Sequence, residues 1–163
     1  MDIFAALENM KHTNDPIQQM HVFRTFLRRY SLKATPQRVA VQQAMMALVH
    51  APADKVLRWI AENTDVKLTP ASVYNTLSQF SALGLYGCRL SADSKMHFDI
   101  VPTPHVHLYD SVNHEFKDLP DEKLYSDIVS RIGQRRFKGY SVDGVDVCLM
   151  AHPTKTRGLF KKK

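Results

Sequence analysis

The chain has 163 residues and a mass of 18.6 kDa, enough to bury one sizeable core or two small ones. Its 44% apolar and 23% charged residues are ordinary for a soluble globular protein, and no apolar run reaches the roughly 18 residues that a membrane span requires. The net charge is +6, but five of the basic residues lie in the final KTRGLFKKK, so charge by itself supports nucleic-acid binding only weakly.

Targeting and redox features favour the cytoplasm. The N-terminal MDIFAALENMKH contains no basic segment followed by an apolar one, so no secretory signal is indicated. The two cysteines, Cys88 and Cys148, are far apart in the chain and form neither a disulfide framework nor a CxxC zinc clip. We therefore expect a cytoplasmic protein without a cysteine-based structural zinc site.

Residues 16 to 83 have the pattern of four consecutive helices. The second begins at Thr35-Pro36 and the fourth at Thr69-Pro70, in each case a hydroxyl cap followed by proline at the first helical position. The third covers about Ala53 to Asn63. The apolar residues that recur on one face of each helix are Phe23, Phe26, Leu27, Tyr30, Val41, Ala44, Met45, Leu48, Val56, Leu57, Ile60, Val73, Leu77 and Phe80.

After Gly84 the apolar period changes from helical to two. The alternation of Met96, Phe98 and Ile100, preceded by the segment from Leu85 to Leu90, predicts a hairpin that turns around residues 91–93. Helices followed by such a hairpin are typical of a winged helix-turn-helix.

The second half has a different pattern, and two prolines in residues 102–104 indicate a stiff hinge before it. We predict strands at His105 to Tyr109 and Glu115 to Leu119, a helix from Asp121 to Arg136, and a last strand from Tyr140 to Met150. So small a unit should pair with a second copy. The predicted fold is α+β: a winged-helix DNA-binding domain over residues 1–101 with an N-terminal helical extension, the hinge at 102–104, and a small α/β dimerisation and metal-binding domain over 105–163 with a basic tail.

The outward face of the fourth helix is a candidate DNA-reading element. Its residues are Ala71, Ser72, Tyr74 and Asn75. Asparagine can pair bidentately with adenine, and a tyrosine ring can pack on a thymine methyl group. Arg38 is a candidate phosphate contact. Taken alone, these residues fit an ordinary surface helix equally well.

Read in order, several motifs resemble the ferric uptake regulator family. They are TPQR (35–38), His50-Ala51-Pro52-Ala53 opening a helix, SVYNTL (72–77), HFD (97–99) and HVH (105–107), and the similarity covers about residues 31–150. The resemblance implies a metal-dependent repressor that forms a homodimer and binds a palindromic A·T-rich operator. In that family the positions of Tyr74 and Asn75 face the bases, although Asn75 is often arginine.

Five histidine and aspartate residues form the candidate metal site. Asp99, His105 and His107 lie within nine residues, and strand alternation places both histidines on one face. With His50 and Asp118 they supply three imidazoles and two carboxylates, whose charges balance a divalent cation. Such a mixed set without thiolate suits Fe(II) or Mn(II), with Zn(II) as an alternative in purified protein. The resemblance assigns the same five positions to the family's regulatory site.

Departures from the family pattern bear on what is sensed. Many members bind a tetrahedral zinc with two CxxC pairs, but Asp110 and Asn113 occupy the first of these places, so that zinc is expected to be absent. Aspartate at both carboxylate positions resembles the peroxide-sensing (PerR-like) branch, in which site iron reacts with hydrogen peroxide and oxidises a ligand histidine, here His50 or His105. The missing cysteines and the sequence YNTLSQF also resemble the iron- and haem-responsive Irr branch, although its HHH motif is HVH here.

Two other function classes remain open at this stage. A non-haem iron or zinc enzyme could use the same ligands, but no additional acid and base pair stands beside them. A helical interaction module without metal is the third option, which metal analysis of the purified protein would distinguish. We expect a regulator rather than an enzyme. The remaining candidates, not selected as ligands, are His97, Asp110, His114, Glu115 and His152.

Overall fold

A computed structural model describes residues 15–154 of the chain. The basic tail from residue 155 and the first fourteen residues of the N-terminal extension lie outside these residues. The chain divides into two compact units, unit 1 (Met1–Thr103) and unit 2 (Pro104–Lys163), with the boundary inside the proline-containing segment. The predicted α+β class, with a helical first half and a small α/β second half, is confirmed.

Within residues 15–103, unit 1 has four helices and a three-stranded sheet. In chain order they are α1 (Pro16–Arg29), α2 (Pro36–Leu48), β1 (His50–Pro52), α3 (Ala53–Asn63), α4 (Pro70–Ala82), β2 (Gly87–Leu90) and β3 (Met96–Asp99). Three of the helices begin as the cap chemistry predicts, because Asp15, Thr35 and Thr69 each accept a hydrogen bond from a backbone N–H of the first turn and proline follows. The predicted starts of the second and fourth helices and the predicted third helix from Ala53 to Asn63 are those observed.

The sheet of unit 1 has one strand more than predicted. Strand β3 lies in the centre and pairs antiparallel with both β1 and β2, in the order β1-β3-β2. The strand β1 was not predicted from the sequence, whereas α3 begins after it at Ala53, where the sequence placed the third helix. A strand of three residues is too short to show a period in the sequence.

A single apolar core joins the helices of unit 1 to its sheet. Phe23, Phe26 and Phe80 pack edge to face within it, and Phe80 continues the stack onto Tyr86. Gln42 is also fully buried, and its Oε1 accepts a 2.6 Å hydrogen bond from the Tyr86 hydroxyl. Burial raises the pKa of Tyr86 well above its ordinary value, so the phenol stays protonated and keeps donating.

In the described part of unit 2, residues 104–154, one helix packs against a three-stranded sheet. Its elements are β4 (Val106–Asp110), β5 (Glu115–Leu119), α5 (Glu122–Gly133) and β6 (Val147–Ala151). Strand β4 is central, antiparallel to β5 and parallel to β6. The helix starts after Asp121, whose side chain accepts from the N–H of Leu124, and it ends before the predicted Arg136. The predicted last strand from Tyr140 is also too long, because strand pairing starts only at Val147.

Two elements of unit 2 leave apolar side chains incompletely buried. No residue of α5 is fully buried, and on β6 the side chains of Leu149 and Met150 are 44% and 65% exposed. Among residues 15–154, no helix combines the length and the apolar character needed to cross a bilayer.

The buried Tyr86–Gln42 hydrogen bond makes a first prediction. We expect Tyr86→Phe to lower the free energy of unfolding of unit 1 by about 1–3 kcal/mol, because it leaves a buried carbonyl oxygen without its donor. The double variant Tyr86→Phe/Gln42→Met should cost less than Tyr86→Phe alone, since it removes both polar partners at similar volume. Urea unfolding followed by the fluorescence of Trp59, the single tryptophan and a residue of α3, measures this for unit 1.

The matched control is Tyr140→Phe, because Tyr140 is 83% exposed. It should change stability by less than about 0.5 kcal/mol. A double variant less stable than Tyr86→Phe would contradict the assignment of the loss to the orphaned carbonyl.

Candidate metal centre and nucleic-acid surface

Unit 1 brings His50 and Asp99 together through its sheet. The two residues are register partners in the antiparallel pairing of β1 with β3. His50 Nε2 lies 3.4 Å from Asp99 Oδ2, and the side chains are 7% and 4% exposed. A carboxylate so deeply buried is stabilised only when hydrogen bonds or a cation compensate for lost solvation.

The two oxygens of Asp99 have different surroundings. Oδ1 accepts a 2.8 Å hydrogen bond from the N–H of Val101, which orients the carboxylate. Oδ2 is the oxygen on the His50 side. On the other neighbouring strand the register partner is Gly87, and a Cβ there would come within 3.4 Å of Asp99 Cβ and of the Val101 carbonyl oxygen. Glycine therefore leaves the space beside the carboxylate open.

The backbone of Val49, the residue before His50, is strained. Val49 caps α2 with φ 60° and ψ −60°, a conformation that β-branched residues rarely adopt. Its carbonyl oxygen accepts from the N–H of Ile100, one position beyond β3. This sharp turn converts the end of α2 into β1 within a single residue and sets His50 opposite Asp99.

Unit 2 brings the other three predicted ligands together. His107 of β4 and Asp118 of β5 are register partners, and His105 precedes His107 by two positions, on the same face. The Nε2 atoms of His105 and His107 lie 2.8 Å and 3.4 Å from the same oxygen, Asp118 Oδ1. The three ligand atoms lie within 4.8 Å of one another.

This convergence fits a divalent cation. The two imidazole rings have centroids 4.0 Å apart, and His107 is completely buried. Two imidazole nitrogens and one carboxylate oxygen on a single face form the donor set of a non-thiolate site with open coordination positions, which suits Fe(II) and Mn(II). Both cysteines are exposed thiols, and neither is among these ligands.

The residues not selected as ligands have other roles. Asp110 closes the β4–β5 turn by accepting from the backbone N–H groups of Val112 and Asn113 and from the Asn113 side chain. The hydrogen bonds from Asn113 hold the pKa of Asp110 below its usual range. The Tyr109 hydroxyl lies 2.7 Å from His114 Nδ1. Burial lowers the pKa of His97, which favours its neutral form.

The predicted DNA-contacting residues of α4 differ in availability. Tyr74 is 47% exposed, and its ring meets Phe98 edge to face at 6.2 Å. Asn75 is exposed as well. The Ser72 hydroxyl instead belongs to a capping box, in which it accepts from the Thr69 N–H and donates to the Thr69 carbonyl oxygen. Of these three residues, Tyr74 and Asn75 are therefore the more exposed, and the Ser72 hydroxyl is engaged in the cap.

Arg38 lies beside the same helix face. It lies in the first turn of α2. Together with Asn75 it lines a groove of about 590 Å³ between α2 and α4. The structure thus brings two of the predicted DNA contacts, from separate helices, to one surface of unit 1. Sequence reasoning missed Gln79, which shares the groove and hydrogen-bonds to Arg38 across 41 positions of the chain.

Comparisons with known proteins give a family match and similar folds. Residues 29–143 match the sequence model of the Ferric uptake regulator family. Comparison with curated proteins gives no match.

Three solved structures are similar over most of the chain. The ferric uptake regulator from Pseudomonas aeruginosa with manganese has 23% identity and a TM-score of 0.62, covering 81% of this chain and 98% of its own. The Vibrio cholerae ferric uptake regulator has 18% identity and a TM-score of 0.63, covering 78% and 96%. The Campylobacter jejuni peroxide stress regulator has 25% identity and a TM-score of 0.57, covering 80% and 96%.

The unit 2 triad makes a second prediction. His107→Ala should weaken Mn(II) binding by about tenfold or more, because it removes one of two imidazole donors at a preorganised site. Equilibrium titration with Mn(II), followed by electron paramagnetic resonance of the free ion, measures the change. His152→Ala, an exposed histidine of the same unit, is the control and should bind like wild type. Equal losses in both variants would contradict the assignment.

Proposed function

Because the chain belongs to the ferric uptake regulator family, we propose that it is a metal-dependent repressor that senses peroxide through iron bound by His50, Asp99, His105, His107 and Asp118. Members of this family are metal-responsive transcription regulators that bind DNA as dimers, so the chain is a DNA-binding regulator and not an enzyme. Beyond this family assignment, we propose which residues bind the metal, which signal is sensed and which residues contact DNA.

The observation that carries the ligand set is the convergence of two imidazole nitrogens on one oxygen of Asp118. One carboxylate oxygen therefore faces two imidazole Nε2 atoms, and all three atoms are of types that bind metal ions. The His50–Asp99 pair of unit 1 repeats the combination of imidazole and carboxylate. We propose that both groups bind the same ion.

Chain connectivity supports a shared ion. Asp99 ends β3 and His105 immediately precedes β4, and the intervening segment spans at most about 20 Å when fully extended. The pair in unit 1 offers only two donors, too few for a specific site, whereas five donors of type N₃O₂ satisfy Fe(II) or Mn(II) and their two carboxylates neutralise its charge.

Peroxide sensing is supported by the all-aspartate carboxylate set and by the 25% identity to a peroxide stress regulator. When bound, Fe(II) would supply the electron that reduces hydrogen peroxide at the site. His50 and His105 are the ligands proposed to be oxidised, since each has an imidazole in the site and neither is fully buried. Oxidation of an imidazole removes a donor, and the affinity for the metal falls.

The proposed link from metal to DNA is a coupling between two equilibria. A metal bound by ligands from both units would favour the arrangement in which the α4 helices are positioned for DNA. The conformational equilibrium shifts toward that arrangement only as far as the metal binds it more tightly than the alternative. Tyr74 and Asn75 are proposed to contact bases of a palindromic A·T-rich operator, with Arg38 on a phosphate and Ser72 near the backbone at the start of α4. The partly buried apolar side chains of α5 and the exposed Leu149 and Met150 of β6 support unit 2 as the homodimer interface. We propose that the protein acts in the cytoplasm.

The third prediction tests metal and peroxide together. Duplexes selected from a random library by the Mn(II)-loaded protein serve as the probe. We expect the metal to tighten binding by about 5- to 150-fold, and Asp99→Ala or His105→Ala to abolish this gain while metal-free binding is kept. Fluorescence anisotropy measures the affinities, and His152→Ala is the matched control.

Peroxide then separates the signals. The Fe(II)-loaded protein should release the duplex after peroxide and gain one oxygen atom on a peptide containing His50 or His105, whereas the Mn(II)-loaded protein should stay bound. If the Fe(II)-loaded protein keeps the duplex and gains no oxygen atom after peroxide, but releases the duplex when iron is removed, it is an iron-responsive regulator and peroxide sensing is excluded. Binding that ignores metal altogether would exclude the metal-dependent mechanism.

The fourth prediction concerns base reading by α4. Asn75→Ala should relax selection at one adenine of each half-site, because a bidentate asparagine contact contributes about 1–3 kcal/mol of discrimination. Repeating the library selection with the variant measures the preference at each position. Gln43→Ala, an exposed residue of α2 outside the α2–α4 groove, should leave the selected sequence unchanged. An unaltered preference in Asn75→Ala would remove this residue from the base contacts.

A further inference from the structure

The guanidinium of Arg38 is held by acceptors from two separate segments. Nη1 donates to the Lys33 carbonyl oxygen at 2.9 Å, and Nη2 donates to Gln79 Oε1 at 3.2 Å. Lys33 belongs to the loop before α2, and Gln79 belongs to α4. A long side chain tied at both ends of its fork has lost much of its freedom before any ligand arrives.

The surroundings of this guanidinium are polar and uncharged. The described residues that line the groove between α2 and α4 are Thr35, Gln37, Arg38, Asn75, Thr76, Ser78 and Gln79. No acidic side chain is among these described lining residues, so the charge of Arg38 is not neutralised from the groove walls. Gln79 lies one helical turn after Asn75, on the same face of α4.

We infer that Gln79 is a positioning residue, which holds Arg38 in the α2–α4 groove so that its remaining N–H groups bind a phosphate of the DNA backbone next to the base contacted by Asn75. A guanidinium has five N–H donors, and only two are used by Lys33 and Gln79. Its planar fork suits the two oxygens of a phosphate. The inference rests on the proposed DNA-binding function and adds one residue with a defined role.

Glutamine is suited to this role because its side chain is uncharged. Its amide oxygen accepts from the guanidinium and leaves the positive charge intact for the phosphate. A glutamate would reach the same atom but would form an ion pair that competes with the phosphate. An alanine would leave the guanidinium without this acceptor. The conformational entropy that Arg38 loses on becoming ordered would then weaken DNA binding.

The test uses the Mn(II)-loaded full chain and a short random-sequence duplex, so that backbone contacts rather than base contacts dominate. Affinity is measured by anisotropy over a series of salt concentrations. Arg38→Ala should make the slope of log K against log salt less steep by about 0.9 for each phosphate that the variant no longer neutralises. Gln79→Ala should lower affinity by about two- to tenfold, the usual effect of one hydrogen bond.

Gln79→Glu distinguishes positioning from a merely structural role. We expect it to bind more weakly than Gln79→Ala and to show the reduced salt slope of Arg38→Ala. In the double variant Arg38→Ala/Gln79→Ala, the second substitution should add no further loss, because it acts only through Arg38. Gln43→Glu on α2 carries the same charge change outside the groove and should retain the wild-type slope. Unfolding followed by Trp59 fluorescence checks that unit 1 is intact in each variant.

The possible results distinguish a failure of the Gln79 positioning role from a failure of the proposed DNA-binding function. If the wild-type protein binds the duplex but Gln79→Glu keeps the wild-type slope, or if the affinity losses of the Arg38 and Gln79 variants add, the positioning role is wrong and the regulator assignment survives. If the wild-type protein binds no duplex in any metal state, the proposed function fails, and this inference fails with it.

Discussion

The antiparallel pairing of β1 with β3 is the interaction on which the site in unit 1 depends. It sets His50 opposite Asp99 and also fixes Phe98, the preceding residue of β3, between Ala51 and Cys88. Phe98 is buried and meets the ring of Tyr74 on α4. One central strand therefore holds a candidate metal ligand at its end and supports the reading helix from beneath. A shift of β3 by a single position would turn both side chains to the wrong face.

The donor chemistry of the chain is built without thiolate. Imidazoles and carboxylates meet in pairs at strand register positions, where backbone hydrogen bonds already fix their spacing. Where a cysteine clip would stand in many relatives, Asp110 and Asn113 close the β4–β5 turn with hydrogen bonds instead. These hydrogen bonds stabilise the hairpin that carries the candidate ligands His107 and Asp118.

Local patterns were sufficient where short-range physics decides the outcome. Hydroxyl caps followed by proline predicted the starts of α2 and α4, and all the residues of their predicted apolar stripes are buried except Leu48, which is partly buried. The predictions failed where pairing partners are distant in sequence. The strand His50–Pro52 was not predicted, because only its pairing with the distant β3 makes these three residues a strand. The stretch from Tyr140 has strand-like composition, yet only Val147–Ala151 finds a neighbour in β4.

The sequence by itself determined the chemical types: which residues can bind a cation, which helix presents polar groups, and that the ligand set lacks sulfur. Only the tertiary structure decided which of these groups meet. The convergence of His105 and His107 on one oxygen of Asp118 requires the β4–β5 register, and the contact of Gln79 with Arg38 requires two helices far apart in the chain to pack side by side. Composition and period are local properties, whereas register and packing depend on contacts across tens of residues, which no short window of sequence contains.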